Sequence, residues 1–528
     1  MKILASDKIA EIGLKMLRDA GFEADMKTGL LEEELIKIIP EYDALIVRSD
    51  TKVTPKIIEA GKNLKIIGRA GVGVDNVDLP TATKNGVIVV NSPEGNTVAA
   101  AEHTWAMLLS MARSIPQAHG KLKTGVWDKK SFKGVEVLNK TLGVVGLGKI
   151  GRRVASYALG MGMNVIAYDP FVTDDYAKSL GVEKKSVEEI FKTADFITFH
   201  IPKTKETLNM VNAESLAKMK KGVRIVNVAR GGIINENDLV AALKSGQVAA
   251  AALDVFEKEP LPTDSPLLGV DNLVVTPHLG ASTIEAQVNV AIDVVEQIIE
   301  VLKGGAARSA VNIPSMKPEL IAPVKPFMSL AEKLGSIASQ IVTGAISKVE
   351  VNYCGEVAEN NVSPLTTTVL KGLLAPIMDV TVNFVNAPLI AKERGIEVVE
   401  TTSNEARDFA SLISVKVTSS KGQREVGGTV FAGLGDRLVS IDGYRVDAVP
   451  VGYMLILSNI DKPGMIGKVG TFLGEHKINI ASMDVGRIKV GEKAVMVLSV
   501  DSAVSDDVLN KITKLDGISG ATLVTLTR

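Results

Sequence analysis

The stretch Thr141-Leu142-Gly143-Val144-Val145-Gly146-Leu147-Gly148-Lys149-Ile150-Gly151 decides how the chain is read. A short β-rich run enters the pattern G-x-G-x-x-G, and a helix-forming segment follows. The glycine pattern alone is weak, because glycine-rich turns are common. Here a second β-rich run, Asn164 to Tyr168, ends at Asp169, close to the roughly 20-residue spacing of a dinucleotide-binding unit. Gly146 permits a tight turn, Gly148 lets the backbone approach a pyrophosphate, and Gly151 allows helix to pack on strand. The helix N-terminus supplies N–H groups and a positive dipole end for the anion. Asp169 would accept from ribose hydroxyls and repel a 2′-phosphate, and Pro170-Phe171 bring no arginine to hold one. The expected cofactor is NAD rather than NADP.

Outward from this unit, β-rich runs alternate with helix-length segments up to about residue 312. Strands are expected at Ala44 to Arg48, Lys65 to Arg69, Val87 to Asn91, Phe196 to His200, Arg224 to Val228, Ala250 to Val255 and Leu273 to Thr276, besides a short first strand. Several are nearly continuous in Val and Ile, as in strands covered on both faces of a parallel sheet. The fold class is therefore α/β and doubly wound. Long helical stretches, Thr97 to Arg113 and Ser282 to Lys303, bracket the later strands. They suggest that the chain leaves one α/β domain, builds a second whole, and returns. The expected division is 1–97 with 283–312 for a substrate-binding domain and 98–282 for a Rossmann-type NAD domain. Pro314, Pro318, Pro323 and Pro326 mark a hinge into a mixed α+β region, 313–450. Residues 451–528 read βαββαβ, a ferredoxin-like order.

Composition narrows the function classes. Sixty basic against 61 acidic residues leave a formal net charge of −1, without the broad positive field of a nucleic-acid or anionic-membrane binder. No run of about 20 apolar residues suggests a membrane span. A single cysteine, Cys354, excludes an intramolecular disulfide framework and suits a reducing, cytoplasmic setting. No histidine pair has metal-ligand spacing on one helix face, and no metal is expected. His103 reads as packed or capping, His119 and His476 as exposed, and His200 as a strand end without a role.

Three segments at expected strand ends converge near the nicotinamide: Asn227 to Gly232, Leu253 to Pro260, and Thr276 to Ala281. They bring Val228, Ala229, Arg230, His278, Gly280 and Ala281 to the cofactor side. Hydride transfer from a 2-hydroxy acid needs a cation for the carboxylate, for which Arg suits best. It needs a base for the hydroxyl proton, a role that fits His. It also needs a carboxylate to orient that His. Arg230, His278 and Glu259 meet these needs. On the other side, the Gly71-Val72-Gly73 loop offers N–H groups for a carboxylate, and Arg48 a charge for a phosphate.

With these segments and Gly68 to Asp78 in view, the chain resembles the D-isomer-specific 2-hydroxyacid dehydrogenases, and more narrowly the long-form D-3-phosphoglycerate dehydrogenases among them. The resemblance covers essentially the whole chain. It implies Arg230 on the substrate carboxylate, His278 as acid/base with Glu259 as its partner, and Asp254 as a nicotinamide-side contact. It places Lys149-Ile150 under the pyrophosphate, where relatives often carry Arg-Ile, and Arg48, Ser49 and Asn96 on the phosphoglycerate side. Val72 stands where some relatives have Thr. From Tyr453 onward the chain resembles an ACT domain, whose sheets pair across subunits. Asp461 would hold an ammonium, the Gly464 turn a carboxylate, and Asn459 or Asn479 a polar side chain. The implied effector is L-serine, and a homotetramer or homodimer is expected. Arg437 and Arg445 are candidate anion contacts in the 313–450 region. The implied reaction is NAD-dependent oxidation of D-3-phosphoglycerate to 3-phosphohydroxypyruvate, the first step of serine synthesis. Alternatives are another D-2-hydroxyacid dehydrogenase, such as a hydroxypyruvate reductase, and an NAD-sensing regulatory protein.

Overall fold

The structure, a computed structural model, describes residues 1–313, 316–378, 381–405 and 408–526. Its first sheet is parallel, from β1 (Lys2–Ala5), β2 (Glu23–Met26), β3 (Ala44–Val47), β4 (Ile66–Arg69) and β5 (Ile88–Asn91) in the order β2-β1-β3-β4-β5. Every residue of β3, Ala-Leu-Ile-Val, is buried, because helices cover both faces. The second sheet, also parallel, holds β6 (Thr141–Val145), β7 (Asn164–Tyr168), β8 (Glu183–Lys184), β9 (Phe196–Phe199), β10 (Val223–Asn227), β11 (Val248–Leu253) and β12 (Leu273–Val275). Its order, β12-β11-β10-β9-β6-β7-β8, reverses between β6 and β9. That switch opens a crevice at the carboxyl ends of the strands. The expected strands are found within two residues of their expected bounds, and β2 and β8 are additional to them.

Two helices link the sheets. The crossing helix, Thr97–Ala112, buries Ala101, Trp105, Leu108 and Met111 against the second sheet's Leu142 and Val144. The return helix, Ile284–Leu302, is capped by Thr283, whose hydroxyl accepts from Ala286 N at 3.1 Å. It buries Val290, Val294 and Ile298 with Ile3, Ile46 and Ile66 of the first sheet.

The third sheet comprises β13 (Ile346–Gly355), β14 (Glu397–Ser403), β15 (Ser411–Ser419), β16 (Gly422–Phe431), β17 (Gly435–Ile441) and β18 (Tyr444–Ala448), ordered β14-β13-β15-β16-β17-β18. Only β14 runs parallel to its neighbour. The fourth, antiparallel, holds β19 (Tyr453–Ile460), β20 (Ile480–Arg487), β21 (Lys493–Val500) and β22 (Ile518–Thr525), ordered β20-β21-β19-β22. Helices Met465–Glu475 and Asp506–Ile512 complete βαββαβ.

The proline-rich hinge is corrected. Pro318 opens a helix, Pro318–Val324, that contains Pro323, and Pro326 lies in the following 3-10 turn. A proline in a first turn has no N–H to satisfy, so it starts a helix as readily as it breaks one. Pro314 lies outside the described residues.

The last two sheets share a core. Alternate residues of β19 face opposite ways: Leu455 and Leu457 pack under the helices of the fourth sheet, while Met454 and Ile456 join Leu330, Leu334 and Val415 of the third. Val495, Val497, Val524 and Leu526 enter the same core. At about 1.5–3 kcal/mol for each such side chain, this burial holds the two sheets as one unit. Asp447 N donates to Asp484 Oδ2 at 3.0 Å, which sets β18 beside the β20 edge.

Candidate active site

Loops after β3, β4, β11 and β12 and the start of the return helix enclose a cleft of about 720 Å³. Its wall brings together Arg48, Ser49, Gly71, Glu259, His278 and Ala281 of the expected residues. Arg230 approaches from the second sheet. A Cβ on Gly73 would lie 2.2 Å from Arg230 Nη2, so this arginine rests against the glycine loop of the first sheet. Its Nε is 3.2 Å from Asp75 Oδ2 and its Nη1 donates to Ala229 O at 2.8 Å. Buried Asn227 shapes that loop, receiving Ala229 N and donating to Arg230 O. Val72, Gly73 and Asn96 lie outside the cleft wall itself. Asn96 caps the crossing helix, and its Oδ1 is buried without a hydrogen-bond partner.

Asp7, 3% exposed, organises the turn after β3. Its carboxylate accepts from Arg48 N at 2.6 Å, Thr51 N at 3.1 Å and the Thr51 hydroxyl at 2.5 Å. One cleft residue lies beyond the sequence reading: Arg69, the last residue of β4. Burial, with Arg230 and Arg48 nearby, pushes its guanidinium down to about 10, and its Nε has no partner. Three like charges around one cleft are costly without anions between them. The available signal was an arginine ending a strand next to the Gly71 loop, beside Arg48, which directly follows β3.

His278 Nδ1 lies 2.7 Å from Glu259 Oε2. That bond raises the imidazole above its ordinary 6.5, while burial pulls the other way. Burial would raise the Glu259 carboxyl, but His278 and the Phe256 N–H hold it below its usual range. With Nδ1 committed to Glu259, Nε2 is left for a substrate proton. His200 contrasts: burial drives it down to about 3, and it lies outside the cleft wall.

His278 adopts φ +55°, the left-handed region. Its N donates to Asp254 O at 2.9 Å, and the Asp254 carboxylate accepts from Leu279 N at 2.7 Å and Gly280 N at 2.8 Å. Asp254 has no exposed surface. In this arrangement it carries the His278 loop. Burial would raise its carboxyl, but His103, Thr276 and Leu279 N hold it below the usual range. His103 is thus neither merely packed nor a cap. It reaches Asp254 Oδ1 at 3.1 Å and Thr276 Oγ1 at 3.2 Å.

The dinucleotide elements fit NAD. The helix Lys149–Gly160 begins directly after Gly148, and a Cβ there would meet nothing within 4 Å, leaving room against the first-turn N–H groups. A Cβ on Gly151 would sit 1.9 Å from Gly146 O, so only glycine permits the turn. Asp169 ends β7, and its carboxylate accepts from Leu147 N at 2.8 Å and Phe171 N at 2.9 Å. Lys149 pairs with Glu94 of the first lobe's last loop, and Ile150 packs into the core under the second sheet. Val228 lies against Gly280, where a Cβ would be 3.0 Å from Val228 Cγ1.

Far from the cleft, the turn after β19 carries the expected effector residues. Asn459 is 1% exposed, donates to Ile460 O at 3.0 Å, and keeps a buried Oδ1 without a partner. Asp461 is not free for an ammonium: it holds Arg487 Nη1 at 3.1 Å and accepts from Gly491 N. Asn479 donates to Asp501 at 2.7 Å. Gly464, at φ +86°, caps the helix Met465–Glu475. Arg437 and Arg445 pair with Asp447 and Asp408. One further expectation is corrected. His476 is half-buried, stacked on Phe472 at 4.3 Å with Nδ1 2.8 Å from Phe472 O.

Residues 105–280 match the NAD-binding domain of D-isomer specific 2-hydroxyacid dehydrogenases. Residues 323–442 match the D-3-phosphoglycerate dehydrogenase intervening domain, and 453–517 the ACT domain. A D-3-phosphoglycerate dehydrogenase of Synechocystis sp. is 50% identical over 526 residues, 99% of this chain and 95% of its own. That of Archaeoglobus fulgidus is 47% identical over 528 residues, with 100% of both chains covered. Among solved structures, the NAD-bound 3-phosphoglycerate dehydrogenase of Entamoeba histolytica aligns with a TM-score of 0.51 and 31% identity, over 59% of this chain and 98% of that one.

Proposed function

Since the chain belongs to the D-3-phosphoglycerate dehydrogenases, we propose that it oxidises D-3-phosphoglycerate at C2 to 3-phosphohydroxypyruvate with NAD, the entry step of serine synthesis. The observation that carries this reading is the cleft itself, whose wall joins the Glu259–His278 pair to Arg48 and Arg69, with Arg230 against the adjoining glycine loop.

Arg230 takes the substrate carboxylate through two parallel hydrogen bonds, releasing Asp75, with the Gly71-Val72-Gly73 backbone beside it. Arg48 and Arg69, with Ser49 and Asn96 nearby, receive the phosphate end. His278 Nε2 takes the C2 hydroxyl proton as the C2–H bond breaks and the carbonyl forms, and Glu259 stabilises the resulting imidazolium. Bound NAD supplies the acceptor for the hydride that leaves C2. Gly146, Gly148, Lys149, Ile150 and Gly151 would hold its pyrophosphate, Asp169 its adenosine ribose, and Val228, Ala229, Gly280 and Ala281 its nicotinamide side. In the reverse direction His278 must enter protonated.

Turnover of D-3-phosphoglycerate against unphosphorylated D-2-hydroxy acids tests the substrate. A kcat/KM at least tenfold higher for the phosphorylated acid is expected. Equal values would favour a general D-2-hydroxyacid dehydrogenase, and no turnover of any of them an NAD-sensing protein.

L-serine is the proposed effector, at Asn459, Asp461, Gly464 and Asn479. Support comes from the unpartnered Asn459 Oδ1 and the helix N-terminus after Gly464. Its ammonium must displace Arg487 from Asp461, and the readout is turnover with and without serine. A homodimer or homotetramer is supported by apolar side chains left in water on the segment between the crossing helix and β6, Trp127 at 82% and Leu122 at 52% exposed. A cytoplasmic setting is in keeping with one unpaired cysteine, Cys354. No helix among the described residues is long and apolar enough to cross a membrane.

A further inference from the structure

We infer that His103, on the crossing helix, is a positioning residue that acts through the Asp254 carboxylate to hold the acid–base histidine in place. The inference rests on the dehydrogenase reading of the cleft and extends it to a residue outside the cleft wall.

Proton accounting fixes the roles. Thr276 Oγ1 donates to Asp254 Oδ1 at 2.6 Å, a far stronger claim on its one proton than Met107 Sδ at 3.5 Å. Towards His103 the Thr276 oxygen can therefore only accept, and a carboxylate accepts by nature. Both face the same nitrogen, so His103 Nε2 carries a proton and shares it between Asp254 Oδ1 at 3.1 Å and Thr276 Oγ1 at 3.2 Å.

The other lone pairs of Asp254 grip the chain directly after His278, at Leu279 N and Gly280 N. Its carbonyl takes His278 N. Asp254 thus holds both sides of a backbone that sits at φ +55°, a conformation unfavourable in a non-glycine residue. A carboxylate with no exposed surface keeps its charge only while donors occupy it. His103 is the one side chain of the crossing helix that supplies such a donor among the described residues. Without that bond Oδ1 keeps only Thr276 Oγ1 and Leu279 N, and the anchor that sets Nε2 against the substrate hydroxyl loosens. The same helix starts at Asn96, seven residues and about two turns earlier. One rigid element thereby ties the substrate end of the cleft to the proton-transfer loop.

The test uses the full chain as wild type, His103→Leu and His103→Gln, with kcat and KM for both substrates and the thermal midpoint of each. Glutamine places an amide N–H where Nε2 stood, and leucine keeps the bulk without a donor. A small misplacement of a reacting group costs up to about 100-fold. The expected result is kcat lowered about 10- to 100-fold in His103→Leu, with both KM values within about threefold, and recovery to within about threefold of wild type in His103→Gln. A kcat unchanged in His103→Leu, a loss carried by KM, or equal impairment of the two variants overturns the inference. If His103→Leu fails to fold, a folded His103→Gln below about a tenth of wild-type kcat overturns it, and one near wild type upholds it. Absence of turnover in the wild type would instead sink the dehydrogenase reading.

Discussion

Glu259 Oε2 stands 2.7 Å from His278 Nδ1, on a loop reached 19 residues earlier in the chain. This pair sets the direction of pH dependence. The hydrogen bond from Glu259 raises His278 above its ordinary 6.5. Oxidation needs the neutral imidazole, so kcat/KM for D-3-phosphoglycerate should fall as pH drops through a midpoint above 6.5. Reduction of the keto acid needs the imidazolium and should fall as pH rises through the same region. In Glu259→Gln the acid limb of the oxidation profile moves to lower pH. A limb that stays in place would separate Glu259 from the titration.

Arg69 should matter as much as Arg48 for binding. A charged hydrogen bond contributes about 1.5–3 kcal/mol, so Arg69→Met is expected to lower kcat/KM for D-3-phosphoglycerate by about 10- to 100-fold. The loss should be smaller for a 2-hydroxy acid without phosphate. Steady-state kinetics on both acids measure this, and equal losses would place Arg69 away from the phosphate.

Asp169 is the residue proposed to set the choice of cofactor. Its carboxylate takes two backbone N–H groups, which fix it just beyond β7. In Asp169→Ala the ratio of kcat/KM with NAD to that with NADP should fall at least about tenfold, one repulsion of about 1.4 kcal/mol. An unchanged ratio would move discrimination elsewhere.

Much of this site is legible in the chain because its parts carry local signatures. The glycines need a turn that other residues cannot make, Asp169 ends the next strand, and Arg230, Glu259 and His278 sit just beyond strands dense in Val, Ile and Ala. Arg69 carries only the mark of a strand end, for its neighbours' charges become visible only when β3, β4 and β10 are laid side by side. His103 is harder still. Its partner lies 151 residues away, and on a helix with apolar residues all around it the ring reads as packing. The joint core of the last two sheets escapes for the same reason, since β19 alternates between two sets of partners that the sequence does not name.

The Asp461–Arg487 pair should restrain the effector. Exposed ion pairs contribute at most about 1 kcal/mol, and Arg487 is half-exposed. Arg487→Ala should therefore lower the serine concentration for half-inhibition by no more than about fivefold, while Asp461→Ala abolishes inhibition with kcat unchanged. Weaker inhibition in Arg487→Ala would assign that arginine to the ligand itself.

The most direct measurement of the central claim is NADH formation from D-3-phosphoglycerate and NAD by the purified chain, beside its His278→Ala variant. The general acid–base contribution is about 10²- to 10⁴-fold. Wild-type turnover with a kcat loss of that size in His278→Ala, and with NADH binding retained, is the expected result. A His278→Ala variant as active as the wild type, or a wild-type chain that forms no NADH, would contradict it.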